Sequence, residues 1–281
     1  VDPFVDFNDY DGIVVYHPST SCHAYSGYAT LGTYQVTTNE GVIDLFSSTI
    51  NTVYISNPYE FGILTHEIGH NFGLHHASVL SCGEFPNRDS LSNECVSREY
   101  GDLFDLMGDP TVLGQYGVRN RAVSLGWIGD SNIIEVNEGT FFISPIEEGL
   151  TNPQGVLGIK IPLSWNLSNI EGLESSGVTH YYLEYKNNFG NLSSFEASVD
   201  FSYEYTYGLN FSEIKKDGGI LIKLGRSTMY SYYEGLPSGN FFSRTYLLSM
   251  HPNAKICESM AYCHNDVYST LFAMLLKGET Y

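Results

Sequence analysis

The stretch Thr65-His66-Glu67-Ile68-Gly69-His70-Asn71-Phe72-Gly73-Leu74-His75-His76 constrains this chain more than any other, because its imidazoles, carboxylate and glycines stand at the spacings of a metal site. In a helix, His66 and His70 lie four residues apart and project from one face, one turn above the other. Two ring nitrogens can then share one ion. Catalytic Zn²⁺ takes three protein ligands and keeps a fourth position open, so such a helix is one ligand short. Gly73 and His76 supply the rest: a glycine at positive φ ends the helix and turns the chain back toward the metal. His75 adjoins His76, but the Gly-x-x-His spacing selects His76. Glu67, beside the first ligand, is the candidate general base. Zinc lowers the pKa of its bound water to about 7, and a neighbouring carboxylate can take the proton.

The start of this helix is also legible. Asn57 can cap it, Pro58 suits a first helical position that needs no N–H, and Glu60 stands three residues after the cap. The helix is expected over about 58–72. Phe61, Ile63, Leu64, Ile68 and Phe72 supply its apolar surface.

The pattern His-Glu-x-x-His-x-x-Gly-x-x-His, followed by Glu99-Tyr100-Gly101-Asp102 and Met107-Gly108, resembles the metzincin clan of zinc peptidases, and within it most of all the gametolysin family. The resemblance implies an α+β catalytic domain, a twisted mixed sheet plus the active-site helix. It implies one zinc ion on His66, His70 and His76, peptide hydrolysis with Glu67 as base, and Met107 in a methionine turn supporting the site together with Gly73. The substrate, a protein or glycoprotein, would lie as an extended strand along an edge strand somewhere in 25–36, where unpaired N–H and C=O groups can receive it. Asp109 stands where some metzincins carry a tyrosine, so no oxyanion-stabilising side chain is assigned. Metzincins are commonly made with an inhibitory pro-segment, and a start at Val1-Asp2-Pro3-Phe4 fits a processed chain. Glycine-aspartate calcium repeats are absent, so calcium is not indicated.

Thirteen basic against thirty-two acidic residues give a net charge of -19, which repels a phosphate backbone. Nucleic acid is not an expected partner, and no apolar run is long enough to span a bilayer. The acidic balance suits a solvated surface. Among five cysteines the short separations suggest Cys82 with Cys95 and Cys257 with Cys263, leaving Cys22 over. Disulfides and the sequons at Asn166, Asn191 and Asn210 suit a secreted, extracellular glycoprotein. Asp102 and Asp105 either orient the ligand histidines from behind or bond turn amides, and the turn role is preferred.

Along the chain, 11–16 reads as a buried strand, 25–36 as strand, turn and strand, and 53–56 as another strand. Residues 81–98 read as a polar loop closed by the Cys82–Cys95 bridge. Val112–Ile128 carries helical periodicity. After residue 130 the pattern changes to strand-length runs at 133–136, 140–144, 156–161, 179–185, 220–224 and 246–250, with a long surface loop at 187–212. The expected organisation is a catalytic domain over 1–130 and a β-sandwich accessory domain over 131–281. A reading of a different class is a non-catalytic adhesion or glycan-binding protein with a structural zinc; retention of Glu67 speaks against it.

Overall fold

The computed structural model describes residues 2–18, 25–51, 58–82, 91, 95–102, 104–108, 115–148, 155–164, 167, 170, 173, 177–186, 219–227, 244–248 and 274–276. Of 58–60 and 274–276 it describes the backbone alone. The expected cap at Asn57, the strand at 53–56, Cys22, Cys257, Cys263, Asp109, the three sequons and the loop at 187–212 lie outside these residues.

The first sheet is organised by one long strand. β1 (Gly12–His17), β2 (Gly27–Ala29) and β3 (Tyr34–Thr38) all pair with β4 (Gly41–Asn51). The near half of β4 forms a hairpin with β3, from Thr38 opposite Gly41 to Tyr34 opposite Leu45. Its far half lies between β1, parallel, and β2, antiparallel. No other described strand pairs with the free edge of β2. Helix α1 (Pro58–Asn71) packs on β2 and β4. Asn71, its last residue, is buried and donates Nδ2–H to Thr30 O and Ser47 O, both at 3.0 Å, while accepting from Ser48 Oγ. One amide therefore stitches the helix end to the sheet, adding to Ser47 O a bond beside the one it accepts from Thr30 N at 2.8 Å.

The second sheet has eight strands: β5 (Ala77–Ser81), β6 (Val96–Arg98), β7 (Ile133–Glu135), β8 (Gly158–Pro162), β9 (His180–Lys186), β10 (Gly219–Gly225), β11 (Thr245–Leu248) and β12 (Met274–Leu276). Their order is β6-β5-β11-β10-β9-β8-β7, with β12 also on β10. Pairings are antiparallel except β5 with β11 and β7 with β8. Buried Leu80, Leu224, Tyr246 and Leu248 pack with Leu167, Ile170, Leu173 and the Cys82–Cys95 disulfide. Each such side chain contributes about 1.5–3 kcal/mol of burial. The bridge contributes about 3 kcal/mol more by restricting the unfolded chain. Among the described residues no helix is long and apolar enough to cross a membrane.

Set against the sequence reading, the described residues show the following. β1 is an edge strand with Val14, Val15 and Tyr16 exposed (40, 43 and 47 %), not a buried strand, because β4 takes the centre. Around the expected boundary at residue 130, β5 and β6, which precede it, share one sheet with strands that follow it. Of the expected Val112–Ile128 helix, the described part forms a short helix over 118–124, π-helical from Asn120 to Ser124, preceded by a bridge between Gln115 and Asp105. Gly117 donates its N–H to Asp105 Oδ2 at 2.9 Å, and this tertiary bond overrides helical periodicity.

Candidate metal centre

α1 carries His66 and His70 on one face, and their rings meet edge to face with centroids 4.9 Å apart. The helix ends where Gly73 takes a φ of 81° and returns its N–H to His70 O at 2.8 Å. The turned chain brings His76 back, so that His70 Nε2 and His76 Nε2 lie 3.1 Å apart. Ligand atoms of all three imidazoles lie within 4.8 Å of one another. His75 is not in the cluster.

The hydrogen bonds on the far side of each ring set its tautomer. His66 Nδ1 faces Leu106 O, His70 Nδ1 faces Leu74 O, and His76 Nδ1 faces Glu99 Oε1, each at 2.7 Å. A carbonyl or carboxylate accepts only, so each Nδ1 carries the proton and each Nε2 presents a lone pair. Burial, then the neighbouring His70, pushes the pKa of His66 down to about 3; burial pushes His70 down to about 4. Burial also lowers His76, against the pull of Glu99. Burial would raise the Glu99 carboxyl, but the bond from His76 and the Arg244 guanidinium outweigh it and hold Glu99 below its ordinary range. The rings are therefore neutral donors at neutral pH.

This donor set fits zinc. Two nitrogens about 2.05 Å from one tetrahedral ion stand about 3.3 Å apart, close to the observed separation of the His70 and His76 Nε2 atoms. Three imidazoles also leave one position open, as hydrolytic chemistry requires.

Glu67 is buried, and burial raises its carboxyl to about 7. It lies against Gly27 of the edge strand β2, where even a single Cβ would collide with its Oε1. Met107 is fully buried below the helix. Its Sδ fills the space a Cβ on Gly69 would need, and it packs with Leu74, Ala77 and Tyr116. Tyr116, packed against Met107, donates its hydroxyl to Thr65 O at 2.6 Å and so ties a later segment of the chain to the helix backbone.

The turn that holds Met107 rests on a buried charge cluster. Asp102 accepts from Phe104 N at 2.9 Å and Asp105 from Met107 N at 3.0 Å, the turn role expected of them. Their outer oxygens also meet Lys223 of β10, at 2.7 and 3.2 Å, with Glu184 of β9 at 3.2 Å; all four side chains are buried. The three carboxylates, despite the cost of burying Lys223, hold its ammonium protonated well above its ordinary range.

Sequence reasoning assigned no role to Glu99, Gly27, Asn71, Lys223 or Arg244. The available signals were weak: a lysine within the apolar run of β10, and Glu99 inside the Glu-Tyr-Gly-Asp motif.

Three imidazoles that could hold a metal ion thus stand beside a buried glutamate and the edge strand of a mixed sheet. The comparison with known families agrees: residues 5–102 match the model of metallo-peptidase family M12, which supports a metallopeptidase. The matched stretch contains β1 to β6, α1, the three histidines and Glu99, and stops before Met107. No curated protein and no solved structure matches the chain.

Proposed function

We propose that this protein is a secreted zinc endopeptidase of metzincin type, with the motif order of the gametolysin family, acting on extracellular proteins or glycoproteins. The observation that carries this reading is the joint placement of three converging Nε2 lone pairs and Glu67 beside the free edge of β2. His66, His70 and His76 would hold the ion, which when bound supplies Lewis-acid chemistry, acidifying water and polarising a carbonyl. An extended substrate adds to β2 by main-chain hydrogen bonds and so sets its scissile carbonyl beside the cluster. Glu67 takes the proton from the attacking water and returns it to the departing amine. Gly27, lacking a side chain, leaves the Glu67 carboxylate its place. Met107 and Gly73 keep the helix and the returning chain in register under the imidazoles.

Glu67→Gln tests the base. The variant is expected to bind one zinc per chain while casein hydrolysis falls by about 10²–10⁴-fold. Cleavage at the parental rate would overturn the role of Glu67. A parent that holds zinc and cuts no protein would make the centre structural.

A further inference from the structure

The three imidazoles are not held alike. His66 and His70 ride on α1, and each donates Nδ1–H to a backbone carbonyl. His76 lies beyond the helix end, and its Nδ1 partner is a side chain, Glu99 Oε1. The same oxygen accepts from Arg244 Nη2 at 2.9 Å, across 145 residues of sequence. Strand register explains this meeting: β11 runs parallel to β5 with Thr245 beside Ala77, so the preceding residues, Arg244 and His76, are neighbours.

Backbone geometry completes the grip. In extended chain, successive side chains leave on opposite sides. Tyr100 has φ 63°, which is rare for a bulky residue, and it breaks that alternation just after β6. Glu99 thus meets the edge of His76 while the Tyr100 ring lies over its face, centroids 3.8 Å apart. Strained backbone of this kind persists where the surroundings impose it.

We propose that Arg244, which lies outside the stretch matched to the peptidase family, is a positioning residue of the metal centre: it holds Glu99 against His76 and thereby fixes the third ligand. The proposal rests on the zinc reading of the centre. Outer partners of metal-bound histidines typically contribute 10–100-fold to metal affinity. Charge alone predicts the opposite sign. Removing a cation near the site would strengthen the pull of Glu99 on a dication, so an electrostatic role would tighten zinc where a positioning role loosens it.

The test is zinc affinity by chelator competition in the full chain, with the visible spectrum of the cobalt-substituted protein as a readout of ligand geometry. Arg244→Met is expected to weaken zinc by about 10–100-fold and to alter the cobalt spectrum, with the metal-free unfolding midpoint near the parent's. Arg244→Lys, which keeps the charge but loses the planar fork, should fall between the two and carries the test if the methionine variant does not fold. Unchanged or tighter zinc in either folded variant overturns the proposal. A parent that binds no zinc overturns the zinc reading, and this proposal with it.

Discussion

The turn around Met107 presents opposite chemistry on its two sides. On one, Leu106 O accepts from the uncharged ring of His66; on the other, the Asp105 carboxylate accepts from the ammonium of Lys223. Both clusters are buried, and burying polar groups is costly unless charge is shed or paired. The imidazole cluster sheds charge and leaves three lone pairs unspent, ready for a cation from solution. The Lys223 cluster carries its own cation, covalently part of the chain, against three carboxyl groups; burial, with Asp105 and Glu184 nearby, raises the Asp102 carboxyl, so this cluster sheds part of its negative charge and pairs the rest. One side is thus suited to bind an ion, the other to hold the turn in place while it does.

The contrast has a pH signature, and its acid limb is the largest effect expected. His66 at about 3, His70 at about 4 and His75, pushed by burial and then by Arg244 to about 4, all have folded pKa values below the unfolded value. Below about pH 6.5 the unfolded chain therefore binds protons that the metal-free folded chain refuses. The stability these rings contribute is full above that pH and is lost as pH falls toward 4. The three rings together account for a loss on the order of 5 kcal/mol by pH 4.5, about half of it from His66 and the rest discounted for partial exposure, while the buried Glu67 carboxyl, raised to about 7, opposes them and returns roughly 2 kcal/mol over the same range. Urea unfolding of the metal-free protein at pH 7, 5.5 and 4.5 measures it. In the Glu67→Gln background, where that carboxyl no longer opposes the rings, a flat profile would mean that the rings are not neutral by burial.

Lys223 runs the other way. Its folded pKa is raised, so its contribution is complete below the unfolded value of about 10.4 and is lost as pH climbs past it. Lys223→Met strands three buried carboxylates and should cost about 3–5 kcal/mol at pH 7, read from the urea midpoint. Arg244→Met, next to a Glu99 whose side chain is 45 % exposed, should cost less than about 1 kcal/mol in the same assay. If the two costs came out equal, the division between a cluster that holds the turn and a line that tunes the metal would collapse.

What the sequence disclosed of this arrangement follows from range. The ligand helix announces itself locally, through Pro58, the four-residue spacing of His66 and His70, and Gly73; the Cys82–Cys95 bridge was suggested by short separation. Five of six expected strand runs after residue 130 correspond to β7, β8, β9, β10 and β11. Partners 118 and 145 residues apart, Lys223 with Asp105 and Arg244 with Glu99, leave no spacing to read. β4 also escaped: its partners change halfway along, so its eleven residues follow no single alternation of buried and exposed positions. β5 was hidden because Ala-Ser-Val-Leu-Ser is short and directly follows the ligand motif, yet its pairing with β11 brings the late strands to the site.

The contact between Gly69 and Met107 gives the smallest effect and tests whether the turn supports the imidazoles. Alanine in place of a helical glycine ordinarily stabilises by about 0.5–1 kcal/mol. Here the added methyl would meet Met107 Sδ and approach Tyr116, and overpacking of this kind costs about 1–3 kcal/mol. Gly69→Ala should therefore lose on the order of 1 kcal/mol net and weaken zinc, because the helix must lift from the turn that receives His66. Gly69→Ala combined with Met107→Ala removes the collision, and zinc affinity should recover further than either single change allows. If Gly69→Ala instead raised stability with zinc affinity intact, Met107 would be ordinary core. The chemistry on the two sides of the turn would then be independent.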